Sequence, residues 1–192
     1  MSTYDESAIT VRNATLPFSG MRAVVLEVLL IAAAVVLPVL AHLAHLPVRF
    51  LLPMHWPVIV AGLVYGWRGG ALTGLFAPVV SYLFSGFPVP NILPSMMAEL
   101  LTYGLVIGVL REKVGLNSFL SVAIALVLGR IVFVGFVLLT NGITANLTEY
   151  LQAALPPGLV AAVCQVILLP LFASWWIGQE RGKNKSLREK AR

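Results

Sequence analysis

Two ionisable residues, Glu99 and Arg130, lie inside otherwise apolar stretches, and any chemistry would start there. A charge in such a setting is costly, so it faces the bundle interior and has a partner. Two readings follow. In one, Glu99 and Arg130 pair with each other and lock two helices together. In the other, one or both reach a ligand, for which arginine's planar fork suits a carboxylate or phosphate. A free arginine calls for such an anion; an arginine neutralised by Glu99 fits a neutral or zwitterionic ligand better.

Spacing adds candidates. Arg130 and Asn141 are three helical turns apart and share a face. Glu99, Thr102 and Tyr103 share another at i, i+3 and i+4. Ser81, Tyr82, Ser85 and Gln165 can line the same cavity, although such side chains in a membrane helix more often bond a neighbouring helix. His55, between Pro53 and Pro57 and beside Met54 and Trp56, is either a satisfied core imidazole or a hydrogen-bonding group of the pocket. Trp56 either stacks on a ligand ring or sits at an interface. Asn91 is a further hydrogen-bonding candidate, and His42 and His45 read as interfacial residues at a helix end.

Enzyme signatures are missing: no GxSxG elbow, HExxH or P-loop occurs, so the chain has no recognisable ATP site. An intramembrane acid–base pair of Glu99 and His55 would lack a nucleophile or metal cluster. Cys164 lies in an apolar run and reads as a buried, inert thiol; with three scattered histidines it makes no metal site. No cofactor is expected.

The elements that must position these residues are membrane helices. The 192 residues are 59% hydrophobic and 11% charged, with a mean hydropathy of +0.92. Soluble domains carry roughly 25% charged residues, and a soluble surface this apolar would be adhesive. Residues 1–20 form a polar segment without a cleavable-leader pattern. A membrane domain over 21–178 and a basic tail over 179–192 follow. The first apolar segment is Met21–Leu43, long enough to cross about 30 Å of hydrocarbon. The second, within Arg49–Trp67, has a broken, proline-rich start at Leu51–Trp56 and clean helix only over Pro57–Tyr65. The third runs over Ala71–Phe87, the fourth over Ser95–Leu110, the fifth over Phe119–Leu139 and the sixth over Leu155–Ile177; Asn141–Leu155 is a polar stretch suited to a short surface helix.

This predicts an all-α integral membrane protein with six transmembrane helices, the second of them short. All but two of the 13 basic residues, Arg49 and Arg130, then fall on the side of the termini. The positive-inside rule makes both termini cytoplasmic. The net charge of +5 is therefore a juxtamembrane signature and not one of nucleic-acid binding. Three GxxxG pairs, Gly62/Gly66, Gly70/Gly74 and Gly104/Gly108, allow close helix approach, either within the chain or onto another membrane subunit.

At Leu52-Pro-Met-His-Trp-Pro-Val58, Met97-Ala-Glu-Leu-Leu-Thr-Tyr-Gly104 and Gly129-Arg-Ile-Val132, the chain resembles the substrate-binding S components of energy-coupling factor (ECF) transporters. The resemblance covers roughly residues 20–178. It implies a subunit of a prokaryotic cell membrane that captures a vitamin or related micronutrient at high affinity. Its partners would be a transmembrane coupling subunit and two ABC-type ATPase subunits. By position, Met54, His55 and Trp56 would belong to the loop wall of the pocket, Glu99 and Tyr103 to the fourth helix and Arg130 to the fifth. The AxxxA docking pattern of many members is missing after Ala32, Ala33 and Ala34, which shifts the expected docking surface to that cluster with small residues of helices two and three. The rival expectation is a self-sufficient secondary transporter using Glu99 for proton coupling, but no inverted repeat supports it.

Overall fold

The computed structural model describes residues 15–141 and 145–190. Among these the chain is helical, without strands. In order it forms α1 (Met21–Leu43), α2 (Val48–Leu51), α3 (His55–Ser85), α4 (Leu93–Val109), a π-helical turn (Leu110–Val114), α5 (Ser118–Asn141) and α6 (Ala145–Lys190). Five helices are long and apolar enough to cross a membrane: Met21–Leu43, His55–Ser85, Leu93–Val114, Ser118–Thr140 and Pro156–Lys183.

The segments expected as helices two and three, with a connection near Arg68, join in α3 with a single break at Gly66 (φ 72°, ψ −160°). Only glycine takes this conformation freely, because it has no Cβ to clash. The break is a reversal. A Cβ on Gly69 would lie 3.6 Å from the Ala61 carbonyl oxygen, whereas residues eight apart in a straight helix are separated by about 12 Å. The limbs 55–65 and 67–85 therefore lie side by side, the first about 16 Å long. The Trp67 amide at the start of the second limb donates to Glu112 Oε2 at 3.3 Å, which satisfies one of the donors a helix N-terminus leaves open.

The broken start of this element is present, but helix resumes at His55, two residues before the expected Pro57. Pro57 sits in the first turn, where its missing N–H would have had no partner. The irregular part is confined to Leu52–Met54, with Leu52 in the left-handed region (φ 44°, ψ 55°).

Glycines set how closely α3 and α4 approach. A Cβ on Gly62 would lie 3.1 Å from the Gly104 carbonyl oxygen, Gly70 abuts the Gly104 backbone, Gly74 abuts Leu100, and Gly108 abuts Trp67. The three GxxxG pairs thus pack within the chain, and Gly62, Gly70 and Gly74 of helices two and three are occupied by α4 instead of being free for a docking partner. Between these backbones the core fills with Val58, Ile59, Leu63, Leu100 and Ile107, all at most 1% exposed.

Three further expectations change. Two ionisable residues were expected inside the spans, but Glu27 of α1 is a third: it is 5% exposed and accepts a 2.6 Å hydrogen bond from Thr73 Oγ1. Cys164 is exposed, not buried; it neighbours buried Gln165, and successive helical residues point about 100° apart. Finally, residues 145–155 of the polar stretch, the sixth segment and most of the basic tail form one continuous helix, α6. Near its far end Glu180 pairs with Arg22 at 2.9 Å, which brings the start of α1 beside the end of α6.

Candidate functional site

At the end of the bundle away from the Arg22–Glu180 pair, three helices bring their polar residues together. Glu99 lies two turns into α4, 2% exposed. The Tyr103 hydroxyl, one turn further on, donates to Glu99 Oε1 at 2.7 Å. Arg130, midway along α5, places Nη1 at 3.3 Å from the same oxygen. His55, the first residue of α3, places Nε2 at 3.8 Å from Glu99 Oε2, too long for a hydrogen bond, and its ring lies 5.6 Å from that of Tyr103. Neither imidazole nitrogen of this buried histidine has a hydrogen-bond partner among the described residues.

Small residues make the cluster fit. A side chain on Gly129 would collide with the Tyr103 ring, and a Cβ on Gly158 of α6 would lie 2.9 Å from Arg130 Nη2. The guanidinium also stacks at 5.4 Å from the Phe133 ring centroid. Arg130 is thus braced on three sides while part of it stays open, its side chain 24% exposed.

Two cavities flank the cluster. One, of about 410 Å³, lies on the His55 side and includes His42, Met54, Ser81, Ser85 and Met96 in its wall. The other, of about 680 Å³, is bordered by α4, α5 and α6 and includes Tyr103, Arg130, Gly158 and Gln165. Leu52, the left-handed residue, lines both. Cavities of this size hold small molecules, and walls that are mostly apolar with a few converging polar groups are typical of such sites.

Of the sequence candidates, His55, Glu99, Tyr103 and Arg130 come together, and Met54 lines the smaller cavity. Trp56 lines neither of these two cavities; its indole N–H donates to the Leu51 carbonyl at 2.7 Å, so it braces the broken segment. Asn91 is exposed and also lines neither. The side chain of Asn141 lies outside the described residues. Of the four supporting side chains, Ser81 and Ser85 face one cavity and Gln165 the other. Sequence reasoning missed Leu52, Gly158 and the cavity-lining role of His42, which it placed at an interface. None carries a local signal, because each becomes relevant only through what another helix puts beside it.

Among the described residues no group of three or more His, Cys, Asp or Glu side chains is arranged to hold a metal ion. A family model described as "ECF transporter, substrate-specific component" matches residues 22–179. Neither the curated proteins nor the solved structures provide a match.

Proposed function

The chain belongs to the family of ECF transporter substrate-specific components, and we propose that it captures a vitamin or related micronutrient for import driven by separate ATPase subunits. As a member it is a substrate-binding subunit of a transporter and not an enzyme. It is a multi-pass membrane protein. Such components work with a transmembrane coupling subunit and ATPases; here we propose one coupling subunit and two ABC-type ATPases.

The observation that carries this reading is the placement of the cluster of Glu99, Tyr103, Arg130 and His55 between two cavities at one end of the bundle. A purely structural ion pair would be expected within close packing; this pair borders open volume and keeps part of its arginine uncovered. In the proposal Arg130 and Tyr103 touch the substrate, Glu99 holds the arginine in place, and His55 and Met54 form the wall on the other side. Trp56 and Asn91 line neither cavity and are proposed only for the outer rim at the same end.

Counting the two limbs of α3 separately gives six passes, and we propose six membrane crossings with both termini cytoplasmic in a prokaryotic cell membrane. The Arg22–Glu180 pair supports this, since it brings the first and last helices together at one end. Arg22, Arg68, Arg111 and Lys113 occur at the turns expected on that side, in keeping with the positive-inside rule. The cavities then open outward.

Proteoliposomes test the proposal. Uptake should require the coupling subunit and the ATPases; uptake by this chain alone would replace the reading with self-sufficient transport. Arg130→Met should weaken binding of the co-purifying small molecule about 30-fold or more, the equivalent of about 2 kcal/mol for a broken buried charge pair. Unchanged affinity in a folded variant would remove Arg130 from the site.

A further inference from the structure

Building on the capture reading, we infer that the substrate is uncharged at its polar end and presents carbonyl-type acceptors to Arg130 and Gln165, with an apolar body filling the larger cavity. Charge balance comes first. Arg130 Nη1 sits 3.3 Å from Glu99 Oε1, and among the described residues no acidic side chain lines the larger cavity itself. The site's cation is therefore already matched. A carboxylate or phosphate placed there would add an anion beside Glu99 in a medium where unmatched charge is expensive.

The balance of donors and acceptors is the second argument. Gln165 is 1% exposed, lines this cavity, and its Nε2 has no hydrogen-bond partner among the described residues. A buried donor left unmet carries the full cost of its desolvation, which a ligand acceptor would relieve. Arg130 has five N–H donors and only its Nη1 faces Glu99. Its Nη2 packs against Gly158, where a Cβ would crowd it at 2.9 Å. The hydrogen of the Tyr103 hydroxyl is already given to Glu99. Tyr103 thus offers the cavity only an acceptor, and the donors left for a ligand are those of Gln165 and Arg130.

The body of the ligand follows from the remaining wall. Leu126, Ile131, Val134, Leu138 and Leu159 line the cavity, a surface suited to rings or alkyl groups. A carbonyl, lactam or amide head on an apolar frame satisfies all three conditions; a polyanion offers acceptors but fails the charge balance and does not suit the apolar wall. Gln165 is then a specificity-determining residue, because it discriminates between an acceptor and a donor at the ligand head.

The test is to purify the full chain from its native membranes, release any bound small molecule, and determine its mass, charge and functional groups by mass spectrometry. The same is done for Gln165→Leu and Gln165→Glu, with thermal unfolding in detergent reporting whether each variant is folded. The expected result is a neutral, carbonyl-bearing molecule whose affinity drops about tenfold in Gln165→Leu, the loss of one hydrogen bond of about 1.4 kcal/mol. Gln165→Glu should lose it further, since a carboxylate repels the same acceptor. A released molecule with a carboxylate or phosphate head, or undiminished binding in folded Gln165→Leu, overturns this inference and leaves the capture reading standing. If nothing is released and no uptake occurs with the coupling and ATPase subunits, the capture reading itself fails and takes the inference with it.

Discussion

Glu99 and Glu27 are both carboxylates sunk into an apolar helix bundle, yet their surroundings differ in kind. Glu99 gathers a tyrosine hydroxyl, a guanidinium and an imidazole from three helices, and these partners line two cavities. Glu27 has one hydrogen bond, from Thr73, and its Oε2 has no partner among the described residues. A side chain on Gly69 would crowd that free oxygen at 3.1 Å. Around Glu27 the helices close with little space to spare; around Glu99 they bring polar groups together beside open volume. The comparison teaches that burial alone does not mark a binding site in a membrane protein. Convergence of several polar groups on open volume does.

The largest effect expected from breaking this comparison comes from the closed part. Gly104→Val would force a branched side chain into the Gly70 backbone. Overpacking commonly costs about 1–3 kcal/mol, and here the obstacle is main chain, which cannot rotate aside, so the loss is expected to exceed that range and abolish the fold. Size-exclusion chromatography and thermal unfolding in detergent should show loss of the folded species.

A similar loss, of different origin, should follow at the open part. Glu99→Leu strands Arg130 without its carboxylate, and removing one partner of a buried pair costs about 3–5 kcal/mol. The double variant Glu99→Leu/Arg130→Met removes both charges and should recover most of that stability without recovering substrate binding. If binding returned along with stability, the pair would be a structural lock and not part of the site.

The smallest effect is expected for Glu27→Gln. The amide oxygen can still accept from Thr73, so the change in stability should stay below about 1 kcal/mol, with substrate affinity unaltered. A large loss of affinity in this variant would erase the distinction drawn between the two carboxylates.

Much of the architecture was legible in the residues. Long apolar runs with few charges have no stable soluble alternative, and the proline-rich start at Leu51–Trp56 announced an irregular element because proline cannot donate a backbone hydrogen bond. Glu99 and Arg130 stood out because their types contradict their setting. Glu27 contradicts its setting as well, and the sequence reading passed over it inside a strongly apolar first helix. A turn between helices two and three was expected near Arg68, and it falls at Gly66; what the spacing did not show is that Gly62 and Gly70 meet the same Gly104.

By itself the sequence determined the solvent this protein lives in, the positions of its apolar segments and the residue types that do not belong in them, because those follow from local composition and spacing. Tertiary structure alone decided which of those residues meet. Glu99 is brought beside Arg130 and His55, from 31 and 44 positions away, while the Trp56 indole bonds Leu51 and Asn91 is exposed. Pairing across helices depends on how closely their backbones approach and at what rotation, and that is set by glycines whose partners lie on another helix.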